Sequence, residues 1–200
     1  MELTVTTMMS LDGVTQSPGA PEEDPSGGFE LGGWAMPYFE EAAMKHVDEI
    51  FGRADAFLLG RKTYEIFASY WPGIGDDNAI AAALNSRPKH VVSSTLGDLT
   101  WDGASLLEGD LVEAVTALKH EPGRELQVHG SVELTQALLA AGLVDRHHLT
   151  VLPIVLRGGR GLFDGAVAPT KFRLEEAKTT PTGVQLLTLA PDGAVVQGHF

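Results

Sequence analysis

Three short segments carry residue types suited to holding a small anion. Gly60-Arg61-Lys62-Thr63 follows the apolar run DAFLLG at 55–60 and opens a helical pattern. A helix start already favours negative charge through its free backbone N–H groups and its dipole, and here two cations and a hydroxyl are added. Taken alone, Arg61 and Lys62 read equally well as solvated surface charges. Val91-Val92-Ser93-Ser94 brings two hydroxyls to the end of the next apolar run, where a polar strand end is the plainer reading. His129-Gly130-Ser131 repeats the order of strand, glycine and helix start before Val132. Gly130 would let backbone approach a phosphate closely, and Ser131 would cap the helix or touch the ligand. Each signal is weak by itself. Together, at the carboxyl ends of apolar strands, they fit a nucleotide lying across an α/β sheet.

Groups that could move a proton are fewer. Asp12, in the turn Ser10-Leu11-Asp12-Gly13, could supply or relay a proton, or close the turn by accepting backbone N–H groups, which is the commoner role. Glu40 and Glu41 stand near a helix start, where acids usually complement the dipole. Trp34, Tyr38 and Trp71 could stack a planar substrate, although large aromatics more often pack. His147 and His148 are adjacent on an apolar strand, so their side chains point to opposite faces and do not share a metal. Met8-Met9 reads as strand packing. Neither GxxxxGK[ST] nor a GxGxxG after the first strand is present, which excludes a P-loop and a Rossmann crossover.

The elements that must position these groups follow from periodicity. Strands are expected at 2–9, 55–60, 90–94, 126–129, 147–155, 172–179 and 183–190. Helices are expected at 37–51, with Pro37 at its first position and Gly52 closing it, and at 61–70, 77–86, 111–119 and 132–141. Ser17–Gly33, rich in Pro, Gly and acids, is a long loop, and loops of that length are often functional. Strands alternate with helices at first and then follow one another directly. The expectation is a single α/β domain over 1–200: a mixed, mostly parallel sheet of about eight strands, helices on both faces, and an antiparallel C-terminal edge.

With 14 Lys and Arg against 27 Asp and Glu, the net charge is −13, which argues against nucleic acid or an anionic membrane as partner. Cysteine is absent, so disulfides and thiolate zinc sites are excluded. No basic start with an apolar stretch opens the chain, and no run of about 18 apolar residues occurs, so a cytoplasmic protein is expected. Arg61, Lys62, Arg87 and Lys89 flank the proposed nucleotide strands and suggest a local basic patch in an acidic protein. Ten acids against Lys45 alone in residues 1–50 disfavour a highly anionic second substrate.

The ordered set SLDG at 10–13, LGRKTYE at 59–65, VVSST at 91–95, HGS at 129–131 and LPIVLRGGRGLF at 152–163 resembles the dihydrofolate reductase superfamily. It is closest to the reductase domain at the C-terminus of bacterial riboflavin biosynthesis proteins. The resemblance implies the three-layer fold of that superfamily and NADPH as cofactor. Arg61, Lys62 and Thr63, after Gly60, would hold the 2'-phosphate and pyrophosphate. Ser93 and Ser94 would lie along the adenosine, and Gly130, Ser131 and Val132 would meet the pyrophosphate. Thr7, Met8 and Val14 would fall near the nicotinamide, under the 17–33 loop.

Folate reductases carry an acid early in the helix after the Trp-containing loop. Here the matching position is close to Phe39, with Glu40 and Glu41 beside it, which puts folate reduction in question. Arg157 stands where relatives often have glycine, and the late glycine loop is expected to pack against the active-site loop. The implied activity is NADPH-dependent hydride transfer to a small planar heterocycle or carbonyl compound, in a homodimer. Alternatives are reduction of the riboflavin precursor 5-amino-6-(5-phosphoribosylamino)uracil, whose phosphate would want Arg157 or Arg160, and an NADP-binding protein without turnover.

Overall fold

The computed structural model describes residues 1–165 and 167–198. Eight strands form one sheet: β1 (Glu2–Ser10), β2 (Ala54–Gly60), β3 (Lys89–Val92), β4 (Ala104–Leu106), β5 (Glu125–His129), β6 (Arg146–Leu152), β7 (Thr170–Thr179) and β8 (Gln185–Ala194). Their order is β4-β3-β2-β5-β1-β6-β8-β7. The first six run parallel, and β8 is antiparallel to both β6 and β7. The helices are α1 (Glu41–Arg53), α2 (Arg61–Tyr70), α3 (Ala79–Ser86), α4 (Leu111–His120) and α5 (Val132–Ala140).

The central strands are largely buried on both faces, because helices cover both. Leu3, Val5, Ala56, Leu58, Leu126 and Val128 pack against α4 and α5 through Val115, Leu118, Leu134 and Leu138. Phe57, Leu59 and Val91 pack against α1, α2 and α3 through Val47, Phe51, Tyr64, Ile80 and Leu84. Burying one such side chain contributes roughly 1.5–3 kcal/mol, so these two layers fix the sheet's position between the helices. Asn78 and Asp110 cap α3 and α4, each accepting two backbone N–H groups at 2.9–3.1 Å.

Several boundaries differ from expectation. The first helix begins at Glu41, not at residue 37: Pro37 opens a separate 3-10 turn (Met36–Tyr38), and Phe39 leaves helical geometry to pack its ring against the core. Gly52 lies inside α1. Strand β3 stops at Val92 because the Ser93 hydroxyl accepts the Thr95 and Leu96 N–H groups and turns the chain. Strand β6 stops at Leu152, and β4, three residues long, supplies the eighth strand that no sequence pattern marked. No helix among the described residues is long and apolar enough to cross a membrane.

Candidate active site

Parallel pairing brings Ser10, Gly60, Val92, His129 and Leu152 to one edge of the sheet as strand ends. Gly60, Thr63 and Ser131 meet there. The Gly60 N–H donates to Ser131 Oγ at 2.9 Å, and Ser131 Oγ donates to Thr63 Oγ1 at 2.7 Å. Thr63 Oγ1 also accepts the Ser131 N–H at 3.1 Å.

This geometry rests on two successive left-handed residues, Gly130 at φ 59° and Ser131 at φ 51°. The second costs about 1–2 kcal/mol in a non-glycine residue, an amount its hydrogen bonds offset. The turn aims the Ser131 side chain at the β2–α2 junction. Ser131 therefore does not cap its own helix, contrary to expectation, and α5 starts with no side-chain cap. Helix α2 likewise has none. Two helix starts, held together by Gly60, Thr63 and Ser131, leave backbone donors for an anion.

The cations at this edge are already engaged. Arg61 pairs with Glu65 at 3.0 Å one helical turn on, and Lys62 Nζ lies 3.6 Å from Asp24 of the 17–33 loop. Asp24 also pairs with Arg160 of the loop after β6. Burial would raise its carboxyl, but the Ser26 hydroxyl and N–H, and after them Arg160 and Lys62, hold it below the usual range. The expected basic patch is not formed, because Arg87 and Lys89 lie at the opposite end of β3. Arg87 donates to the Phe51 carbonyl, while buried Lys89 donates to the Leu84 and Arg87 carbonyls and sits 4.6 Å over the Trp101 ring. Burial lowers Lys89 to about 8. Of the two serines after β3, Ser93 is occupied by its turn and Ser94 is exposed.

At the end of β1, Asp12 closes a loop junction. Its carboxylate accepts the Ser10 hydroxyl at 2.7 Å and the Leu156 and Arg157 N–H groups at 3.1 and 2.8 Å. These donors hold it at about 2. A carboxylate so held is ionised near neutrality, and the contacts it makes are those of the turn-closing role. Thr7 Oγ1 is buried with no partner among the described residues, and Met8 packs against the apolar cluster that includes Val14, Trp34 and Leu152. Val14 bridges to Gly161, and Gly159, at φ 103°, lies where a Cβ would press on Val14 and Phe29. The glycine loop thus packs on the segment after β1 as expected. Arg157 has φ 60°, the conformation that glycine adopts most easily.

On the far side of β6, Glu40 accepts the Thr182 N–H and hydroxyl at 3.1 Å each, which holds its carboxyl below the usual range. Glu41 is exposed in the first turn of α1. Trp34 is buried with its indole N–H on the Gln16 carbonyl at 2.8 Å, and Trp71 packs edge-on with Phe67 and Tyr70. Both are packing residues. Asp24, Gln16 and Arg160 form the contact between the two loops, and sequence reading did not single out Asp24 or Gln16. The only sequence signal for Asp24 is its place in the acidic run Glu22-Glu23-Asp24.

A second feature absent from the sequence reading is a buried polar row beneath α1. Arg53 pairs with Glu125 at 2.7 Å, Gln127 donates to Glu125 at 2.6 Å and to the Ile50 carbonyl at 2.7 Å, and His129 Nε2 lies 2.9 Å from Gln127 Oε1. Since the Gln127 amide nitrogen is a double donor, its oxygen accepts and His129 Nε2 carries the proton.

The model of the RibD C-terminal domain family matches residues 2–186. This chain belongs to that family. Two Bacillus subtilis proteins are similar to this RibD C-terminal domain protein. The uncharacterized protein YyaP is 26% identical over 68% of this chain and 73% of its own. The uncharacterized protein YwjB is 27% identical over 74% and 80%. Among solved structures, a Shewanella sp. PV-4 protein assigned by name to riboflavin biosynthesis superposes with a TM-score of 0.69 at 21% identity, covering 96% of this chain and 99% of that one. A pyrimidine reductase-like protein of Corynebacterium diphtheriae gives 0.62 at 15% identity, covering 96% and 92%. The fold is that of the dihydrofolate reductase-like proteins, with the mostly parallel sheet and antiparallel C-terminal edge expected of it.

The residues of this RibD-type domain fit a dinucleotide. Two uncapped helix starts offer backbone donors, Gly130 brings no side chain between them, and the unpartnered Thr7 hydroxyl lies on β1 toward the same edge. Between the 17–33 loop and the glycine loop, a cavity of about 550 Å³ is lined by Gln16, Phe29, Leu31, Leu156 and Arg160 among others.

Proposed function

We propose that this protein is an NADPH-dependent reductase of the pyrimidine reductase kind, acting on a small planar heterocycle. The observation that carries the reading is the junction of Gly60, Thr63 and Ser131, which leaves two helix starts open side by side at the carboxyl edge of the sheet. Their backbone N–H groups and Val132 would bind the pyrophosphate. Arg61, whose exposed pair with Glu65 is worth only about 0.3–0.5 kcal/mol, would turn to the 2'-phosphate. Ser94 would lie along the adenosine. Thr7 would hydrogen-bond the carboxamide, and Met8 would face the ring.

The cofactor supplies a hydride to a C=N or C=O carbon of the substrate. The chain's part is to orient the two rings, with the 17–33 loop excluding bulk water. The heteroatom would take its proton from a single water retained beside the substrate, because Asp12 and Glu40 are both held below the usual carboxylate range.

Family membership and the names of the structural neighbours favour an aminopyrimidine of riboflavin biosynthesis over folate. For the phosphoribosyl precursor, Arg157 is the available cation: it is exposed and forms no ion pair among the described residues, whereas Arg160 is held by Asp24. A homodimer is also proposed. Edge strand β7 is largely exposed and carries Leu174 at 56% exposure, a surface that pairing would cover.

The test is oxidation of NADPH, followed by absorbance, with 5-amino-6-(5-phosphoribosylamino)uracil, its dephosphorylated form, dihydrofolate, quinones and aldehydes. Turnover fastest with a pyrimidine is expected. Tight NADPH binding without turnover on any compound would leave a nucleotide-binding protein, and no NADPH binding would refute the reading.

A further inference from the structure

Asp24 is fixed firmly from one side and weakly from the other. On the loop side its Oδ1 accepts the Ser26 N–H at 3.2 Å and the Ser26 hydroxyl at 2.5 Å, while Oδ2 pairs with Arg160. The backbone around it is held as well. Gln16 Nε2 donates to the Asp24 and Ser26 carbonyls at 2.8 and 2.9 Å, and Ser17 Oγ accepts the Asp24 N–H at 3.0 Å. On the side of α2, among the described residues, it meets only Lys62, half-exposed and 3.6 Å away. Asp24 is itself mostly buried, so its charge is poorly screened. Lys62 is the second residue of a helix with no side-chain cap, at the edge where Gly60, Thr63 and Ser131 meet.

We propose that Asp24 is a built-in counter-anion of the cofactor site: its carboxylate holds Lys62, and a phosphate of the dinucleotide must take that cation over. This rests on the cofactor reading above and adds to it a residue that sets affinity. Because the loop side holds Asp24 in place, the carboxylate remains beside the arriving phosphate after Lys62 turns away. Binding is then opposed twice, by the lost pair and by the persisting like charge. Asp24 thereby keeps the dinucleotide from binding too tightly to leave, as a cofactor consumed and replaced at each turnover requires.

The experiment is fluorescence titration of the full chain with NADPH at low salt, using wild type, Asp24→Asn, Lys62→Gln and the double variant. Asn keeps an oxygen for Ser26, and thermal unfolding checks that the loop change leaves the fold intact. Asp24→Asn should lower the Kd about three- to tenfold, since a surface pair and one like charge together amount to about 1 kcal/mol. In the Lys62→Gln background the same substitution should lower the Kd by a smaller factor than in wild type, because only the like charge beside the phosphate is then removed. Asp24→Asn also frees Arg160, so Asp24→Asn with Arg160→Gln is compared with Arg160→Gln alone, and should still bind more tightly. An unchanged or raised Kd in Asp24→Asn, with NADPH bound by wild type, overturns this proposal alone: a raised value would mean that the contact clasps the loop over the cofactor. Absence of NADPH binding to every form removes the cofactor reading and this proposal with it.

Discussion

Acid should unfold this protein in a window set by three buried imidazoles. His129 is buried against the Phe51 ring, stacked at 4.1 Å, and is lowered to about 3 by burial and by the neighbouring His148. His147 and His148 are lowered to about 4, chiefly by burial, with Arg53 adding to it for His148. The His147 nitrogens have no hydrogen-bond partner among the described residues, and its ring meets Phe172 edge-on. The sign follows from the direction. Each folded value lies below 6.5, so about one unit or more above that pH the imidazoles are essentially neutral in both states and their full contribution to stability is present. As pH falls, the unfolded chain takes up protons first, and stability is lost until each folded value is reached. At pH 5 each imidazole costs about 2 kcal/mol, from 1.5 pH units at roughly 1.36 kcal/mol, and the three together cost ~6 kcal/mol. That is a large share of the roughly 5–15 kcal/mol typical of a folded chain. His46 and His90, also lowered by burial, act in the same direction. The assay is urea denaturation at half-unit steps from pH 8 to pH 5. Between pH 8 and pH 7 the free energy should fall by only about 0.3 kcal/mol, through Lys89 at about 8, and below pH 7 it should fall with a slope approaching three protons. His147→Leu, which removes two unpartnered nitrogens, should reduce that slope by about one proton and leave the protein at least as stable at pH 7. A flat profile between pH 7 and pH 5, or a His147→Leu profile parallel to wild type, would falsify the reasoning.

Three further substitutions probe the proposed site and its loops. Gly60→Ala needs no unusual backbone angle, but its Cβ would stand 3.1 Å from Ser131 Oγ and 3.3 Å from Ser131 Cβ. It should separate the two helix starts and weaken NADPH binding about tenfold by fluorescence titration, with about 1–2 kcal/mol lost in urea denaturation. Arg157→Gly removes a side chain from a left-handed position while keeping the N–H that donates to Asp12, and should raise stability by up to about 1 kcal/mol. Arg61→Ala should reduce a preference for NADPH over NADH while leaving NADH affinity within about twofold, since an exposed pair contributes little to the fold. Equal affinity of the wild type for the two cofactors would sink the assignment of the 2'-phosphate to Arg61.

Much of the scaffold is written locally. The apolar runs of β2 and β5 and the capping residues Asn78 and Asp110 depend on neighbours within a few positions, and the sequence shows them. Strand β4 is only three residues with no pattern of its own, and it exists because the β3 edge is there to pair with. The start of α1 was misplaced because Pro37 suits a 3-10 turn as well as a helix, and the choice was made by Phe39 reaching the core. Site chemistry was legible as residue types at strand ends, but two kinds of information were missing. One is which end of a strand a residue occupies: Lys89 is close in sequence to Ser93, yet it serves the helix α3 carbonyls at the other end. The other is side-chain direction. Ser131 reads as a cap until the left-handed turn at 130–131 sends its hydroxyl to Thr63.

These corrections change the electrostatic account of the site. A net charge of −13 with a basic patch would bind a dinucleotide mainly through side-chain attraction. With the patch dissolved, the cations that remain at the sheet edge are Arg61, Lys62, Arg157 and Arg160, and three of the four already face an acid. In the proposed cofactor complex, recognition of the phosphates would then rest chiefly on the fixed N–H groups of α2 and α5. Those donors are aligned before binding by the bonds among Gly60, Thr63 and Ser131, so they need little reordering when an anion arrives. The paired cations act as adjustable additions to that frame, and the acid opposite each one tempers what it adds.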